Sequence, residues 1–493
     1  MRNTFSNTPI GKREAVRVAA TIVVGFLLCF GCIVSNLYLM DREMYRRYMM
    51  EEPLTMVYMG LTLFFFYALY FIYLRFTQPT VIKSRKQMLL ISVALVFCFL
   101  INLCFGDLAG VYCRPYALFT LLLCLTVSKR VGVAGGLFLT LTTFLHDYLL
   151  SGLQLEGMTE TAGLLLGVFN CTLMGSFIGY SYRRVKVVLL AVFVGIPAGV
   201  LLCLYQGVFG IALYENLIDC AIAVGATAIS VLLFLAFLPV FERCFNVITV
   251  YRLSELTDHR RVLMQRLRSE APGTFQHTLM VANLAEACAL AIGEDPALCR
   301  VCAYYHDIGK LQNPEYFTEN QKNGNPHDQL TPELSTNLIK KHTTDGYRLA
   351  KAYHLPDEVA DVIVQHHGTM PIKYFYYKAM KFSETGLSME NFCYDGPKPQ
   401  TAVAAIIMIC DASEAAVRSM KDKSSGKVEE LVRSLIEERM DLEQFSECDV
   451  TMRDLYLIKD AIVSNYEGFY HERIAYPKFK MTREAPGEER AED

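Results

Sequence analysis

The sequence predicts an all-α protein in two parts, a polytopic bundle of about eight transmembrane helices followed by an all-helical globular domain. Three observations carry this. Residues 15–240 fall into eight apolar stretches, each near the ~20 residues that a helix needs to cross the hydrocarbon core. Beyond residue 240 the apolar residues recur at helical spacing within charged sequence, and no run alternates as a strand would. The 493 residues are 53% hydrophobic yet 20% charged, which suits an apolar half joined to an ordinary globular half rather than one uniform soluble domain.

The apolar stretches lie near 15–38, 53–74, 87–106, 109–128, 131–150, 160–181, 187–207 and 217–240, with a tight turn at Gly106-Asp107 between the third and fourth. Charge sets their orientation. One set of connections carries Lys12 and Arg13, then Arg75, Lys83, Arg85 and Lys86, then Lys129 and Arg130, then Arg183, Arg184 and Lys186. The alternate set carries Asp107, then Asp147 and Glu156, then Glu215 and Asp219, and only residues 41–52 are mixed. The alternation places the N-terminus and, after eight crossings, the C-terminal half in the cytoplasm. The first stretch is longer than a signal-peptide core and no small-residue cleavage site follows it, so it reads as an uncleaved anchor. Asn102, Arg114, His146, Asp147, Glu160 and Asn170 lie within or near the bilayer and read as packing or interface residues more readily than as a ligand pocket.

Residues 1–14 form a cytoplasmic tail, 15–240 the transmembrane domain, 241–270 a helical connector, 271–477 the globular domain and 478–493 a disordered tail. Helices are expected over 275–292, 297–311, from Thr331-Pro332-Glu333 onward, over 356–367 and over 400–421. The 16 cysteines are scattered, many inside apolar runs, as buried free thiols in a reducing compartment would be. A net charge of −3 gives no reason to expect a nucleic acid polymer as partner.

Chemistry concentrates in the second half. His306-Asp307 offers a neutral nitrogen ligand and an anionic oxygen ligand side by side, and a carboxylate can bridge two cations. His277, His342, His366, His367 and Asp411 lie on other helical segments and can close a site, as in helical-bundle metal centres. Such a nitrogen-rich, carboxylate-bridged set suits iron, manganese, cobalt or zinc better than calcium or magnesium. His259, His327, His354 and His471 read as ordinary structural histidines.

His306-Asp307-Ile308-Gly309-Lys310, with an upstream histidine and a distant aspartate, resembles the HD-domain metal-dependent phosphohydrolases. The segments Ala271–His277, Tyr304–Lys310, Glu319-Asn320-Gln321, Asn325–Asp328, Gln365–Thr369 and Gly396–Pro399 are together similar to the seven-transmembrane HD family, from about the second membrane segment to residue 477. The resemblance implies a multi-pass bacterial cell-membrane enzyme that hydrolyses cyclic di-AMP to linear pApA with two divalent transition-metal ions, manganese or iron first. It further implies that His277, His306, Asp307 and Asp411 hold one ion, that Asp307 bridges, and that His342, His366 and His367 hold the other. Family members carry a large extracellular domain between the first two membrane helices, where this chain has only residues 41–52.

The expected chemistry is attack on phosphorus by a hydroxide generated between the two ions, with the ribose 3′-oxygen leaving in line. Lys310 reads as a catalytic-site phosphate contact or a surface lysine, and Arg418, two turns beyond Asp411, as a phosphate contact or a structural ion pair. The alternatives are the same chemistry on cyclic di-GMP or a guanosine alarmone, and a membrane receptor with a non-catalytic HD module. No Gly-Tyr-Pro follows the tandem histidines, which disfavours cyclic di-GMP, and no ligand is lost, which disfavours the receptor. A homodimer is a reasonable assembly for a signalling enzyme.

Overall fold

The computed structural model describes residues 11–151, 158–179, 184–322, 324–381 and 387–470. It divides into two compact units, Met1–Asp258 and His259–Asp493. Among the described residues both are helical, and the sole β feature is an isolated bridge between Pro371 and Cys393. The expected tail at 478–493 and His471 lie outside the described residues.

The first unit contains α1 (Lys12–Met40), α2 (Pro53–Thr77), α3 (Arg85–Ala109), α4 (Ala117–Thr126), α5 (Lys129–Leu150), α6 (Met158–Phe177), α7 (Arg184–Val208), α8 (Leu213–Cys244) and the short α9 (Val250–Leu256). A short helix, Arg42–Arg46, and one π-turn fill the link between α1 and α2. Among the described residues, seven helices are long and apolar enough to cross a membrane. Six are α1, α2, α3, α5, α7 and α8. The seventh, Pro272–Ile292, belongs to the second unit, where it packs among other helices and carries His277.

Two expectations about the bundle are corrected. The third helix does not turn at Gly106-Asp107 but runs to Ala109, and the chain breaks at Gly110 with φ 87°. Gly106 stays helical, and the Arg114 guanidinium occupies the space that a Cβ there would take. The fourth segment is not one membrane-length helix. Arg114 precedes Pro115 and is extended at ψ 131°, as a residue before proline must be, which leaves α4 only ten residues. Ten residues rise about 15 Å, half the hydrocarbon thickness. Every residue of α4 except Leu125 is buried, so it forms the axis of the bundle. Helix α8 runs through Pro239 to Cys244.

A polar network ties α1 into the bundle. Asn36 donates to Asp107 Oδ2 (2.6 Å) and meets His146 Nε2 (2.8 Å). His146 Nδ1 lies 3.1 Å from Asp147 Oδ1, and Arg114 donates to Asp147 Oδ2 at 2.5 Å. Arg17 donates to the Lys83 carbonyl (2.7 Å) near the opposite end of α1. Arg114 and Asp147 are almost fully buried, where an unpaired charge is costly.

The second unit contains α10 (Val262–Glu270), α11 (Pro272–Ile292), α12 (Pro296–Tyr305), α13 (Pro332–Ala352), α14 (Asp357–Gln365), α15 (Lys373–Met380), α16 (Ala402–Ser419), α17 (Ser425–Asp441) and α18 (Met452–Tyr470). Helix α16 is its spine, with Val403 through Asp411 buried without interruption. Helix α11 packs on α12, α16 and α18.

Candidate metal centre

Helix α11 begins at Pro272, whose missing N–H costs nothing at a first-turn position. Asn320 Oδ1 accepts from the Gly273 and Thr274 amides (2.9 and 3.2 Å), and Glu319 accepts from the Thr274 hydroxyl (3.0 Å). This turn sits so close that a Cβ on Gly273 would overlap the Glu319 carbonyl. The clamp fixes the first turn of α11 and so aims His277 inward.

The dyad is not on one continuous helix, as 297–311 would have it. Helix α12 ends at Tyr305, Asp307 adopts φ −108° and ψ 14°, and a 3₁₀ turn runs over Ile308–Gln312. The cause is a close crossing: a Cβ on Gly309 would overlap the His342 carbonyl oxygen of α13. The break turns His306 and Asp307 into the same space.

All seven expected ligands converge. His277, His306, Asp307 and Asp411 offer ligand atoms within 4.8 Å of one another, and His342, His366 and His367 form a second such group. Asp307 faces both. Its Oδ2 lies 3.3 Å from His306 Nε2 and 3.7 Å from His277 Nε2, while Oδ1 lies 3.5 Å from His342 Nε2 and 3.8 Å from His366 Nε2. Asp411 spans them too, with Oδ1 2.9 Å from His277 Nε2 and Oδ2 3.6 Å from His367 Nδ1.

Three histidines share one orienting device. His306, His342 and His366 each direct Nδ1 at the carbonyl three residues earlier, at 2.7, 2.6 and 2.8 Å. A carbonyl only accepts, so Nδ1 carries the proton and Nε2 is left as a ligand. His277 Nδ1 bonds the Glu414 carboxylate instead. His367 stacks on Tyr394, with ring centroids 4.3 Å apart.

The donor set fits cations. His306 Nε2 and both Asp307 carboxylate oxygens are buried without a hydrogen-bond partner, a rare state for such groups. His342 Nε2 and His366 Nε2 face each other at 3.3 Å, where two proton-free nitrogens would repel unless something positive lay between them. Burial opposes charge on His306, but Asp307 beside it overrides this and lifts its pKa to about 10. His277 also rises, because hydrogen bonds to Asp411 and Glu414 outweigh burial. Burial and neighbouring rings hold His366 down to about 3, and His342 and His367 are lowered, chiefly by burial. Burial raises Asp307 and Asp411, but facing cations win and hold both well below the carboxylate range. Two ionised carboxylates thus face three neutral imidazoles, while the raised pKa values of His306 and His277 favour protons that a divalent cation would displace.

The two expected phosphate contacts are placed differently. Lys310 Nζ lies 2.8 Å from Asp307 Oδ2 and 2.8 Å from Glu319 Oε1, and its bond geometry favours Glu319, leaving the Asp307 contact electrostatic. Arg418 Nη1 is 3.4 Å from Glu414 Oε2 and about half-exposed. Both cations therefore brace carboxylates of the site. Sequence reasoning missed Glu414 and Tyr394, and it singled out Glu319-Asn320 only as part of a resembling segment, without the clamp on α11. Glu414 had a signal, since Asp411-x-x-Glu414 puts both carboxylates on one helix face. Of the histidines read as structural, His259 packs against Phe275 and Tyr304, and His327 bonds the Tyr316 carbonyl (2.9 Å).

A family described as "7TM receptor with intracellular HD hydrolase" matches residues 53–249, and the "HD domain" family matches residues 274–416. The chain belongs to the seven-transmembrane HD family. The family accounts for the helices α2 to α8 and for the clustered histidines and aspartates, and it makes the chain a multi-pass membrane protein. A Bacillus subtilis protein named cyclic-di-AMP phosphodiesterase PgpH is 36% identical over 74% of this chain and 51% of its own length. A Listeria monocytogenes protein of the same name is 33% identical over 96% of this chain and 66% of its own length. The chain thus spans between half and two thirds of these relatives. The solved HD domain of the Listeria protein is 45% identical, is covered in full, and matches 43% of this chain with a TM-score of 0.41. The same domain solved in complex with cyclic di-AMP is 46% identical, again covered in full, and matches 44% of this chain with a TM-score of 0.42.

Proposed function

We propose that the chain is a metal-dependent phosphodiesterase that opens cyclic di-AMP to linear 5′-pApA. The observation that carries this is Asp307, buried and presenting one oxygen to each of two groups of ligands. The name shared by the two relatives at 33–36% identity supports the substrate.

His277, His306, Asp307 and Asp411 would hold one ion, and Asp307 with His342, His366 and His367 the other. Bound there, two divalent transition-metal ions, manganese or iron, supply positive charge against the phosphodiester oxygens and acidify water. The residues do the rest. Asp307 and Asp411 fix the separation of the two positions. Glu414 accepts from His277 Nδ1 and holds its Nε2 toward the centre, while Tyr394 fixes the ring of His367. Lys310 holds Asp307 ionised and oriented. Water adds to phosphorus, the P–O3′ bond breaks, and the products are a 5′-phosphate and a 3′-hydroxyl. The alternating loop cations support a cytoplasmic side for both the N-terminus and the chain beyond Cys244, a reading that needs the interrupted segment Val111–Thr126 to complete the crossing between α3 and α5.

The test is incubation of the purified full chain, loaded with manganese, with cyclic di-AMP and separately with cyclic di-GMP, the products being resolved by chromatography. Conversion of cyclic di-AMP to pApA with little turnover of the guanine analogue is expected. Full metal loading without hydrolysis of either would overturn the enzymatic reading in favour of a binding module.

A further inference from the structure

The first unit holds a cavity of about 650 Å³ between α2, α5 and α6, apart from the histidine cluster. Its walls are apolar, formed by residues such as Phe66, Leu69, Leu137 and Leu141, and its cations, Lys129 and Arg130, are both contributed by the start of α5. We propose that this groove seats one acyl chain of an anionic phospholipid, whose phosphate is held by Lys129 and Arg130.

The dimensions fit that occupant. From Arg130 to Leu141 the groove follows eleven residues of helix, a rise of about 17 Å, close to half of the ~30 Å hydrocarbon core. It therefore runs the depth of one leaflet, with its charge at one end. Tyr73 lines the same groove and is near the end of α2, as Arg130 is near the start of α5. Leu69 is 45% and Tyr73 37% exposed, so the groove opens on the outer apolar face of the bundle, where lipid lies.

The charges fit as well. No acidic residue lines the cavity, and among the described residues neither Lys129 nor Arg130 forms an ion pair. Both sit on the first turn of α5, where Ser128 caps the Val131 amide and the helix dipole adds positive potential. A helix from a second copy filling the groove would have to cover two cations in hydrocarbon, whereas a lipid phosphate pairs with them at headgroup level.

The chain contains no tryptophan, so one introduced residue is a clean reporter. Leu137→Trp, with Leu141→Trp as an independent second reporter, would be reconstituted as full chain in phosphatidylcholine vesicles. Increasing fractions of dibrominated phosphatidylglycerol, or separately of dibrominated phosphatidylcholine, would then be added. We expect half-maximal quenching at roughly 30-fold lower mole fraction of the anionic lipid, as two headgroup contacts imply. Lys129→Gln with Arg130→Gln should bring the two curves together. Equal quenching by both lipids before the cations are removed would overturn the proposal in favour of non-selective lipid contact. Absence of quenching in both reporters would overturn it in favour of a groove filled by protein. Native mass spectrometry of the unmodified chain should retain phosphatidylglycerol over phosphatidylcholine, and the reverse order would also overturn it.

Discussion

Asp307 is the residue on which the site turns, because each of its oxygens serves a different group of ligands. Asp307→Ala should abolish turnover and lower metal content at both positions, read by elemental analysis beside rate. Retained hydrolysis in that variant would break the bridging assignment. Glu414 acts through His277. Glu414→Ala should weaken metal retention against a chelator by about 10–100-fold, and Glu414→Gln, which keeps an acceptor, should recover part of it. Unchanged retention in the alanine variant would reduce Glu414 to a partner of Arg418. His306-Asp307 and His366-His367 were legible because such adjacencies are uncommon and chemically distinctive, whereas His277, His342 and Asp411 were assigned to the set through the family resemblance. Glu414 was not legible, because a helical glutamate is ordinarily a solvated surface group, and only the packing of α11 on α16 makes it an inward one.

At the scale of elements, periodicity located the helices and failed at their interruptions. The break after Tyr305 arises from a contact distant in sequence, Gly309 against α13, whereas the shortness of α4 is local, because Pro115 holds Arg114 extended. Gly309→Ala should therefore be destabilising by about 1–3 kcal/mol, since the crossing has no room to relax. Gly426→Ala, on open surface in α17, should be neutral or stabilising by up to about 1 kcal/mol. Thermal melts of the two variants compare these directly. Equal midpoints would mean that the α13 crossing tolerates a methyl group and that the dyad turn has another cause.

For the whole molecule, the metal-free centre stores protons. His306 is raised to about 10, so it is charged at neutral pH without metal, and His277 is shifted in the same direction. A cation must displace those protons, and metal affinity should rise with pH through the neutral range. Calorimetric titration with manganese at pH 7 in buffers of different ionisation enthalpy should show an apparent heat that tracks the buffer. A heat independent of buffer would mean that the imidazoles are already neutral. Composition and charge alternation made the two-part plan legible, yet which helices adjoin one another was not, and the groove beside α5 exists only through that adjacency.

The hydrogen bonds of Asn36 give the first helix a status that its position in the chain does not suggest. It is held by side chains rather than by the short link that follows it. Cutting that link should leave the pieces joined. Residues 1–52 and 53–493, made as separate polypeptides in one cell, should assemble and purify together, and Asn36→Leu should release the smaller one. The anchor would then be a detachable subunit in all but covalent connection, open to replacement or exchange without disturbing the seven helices behind it.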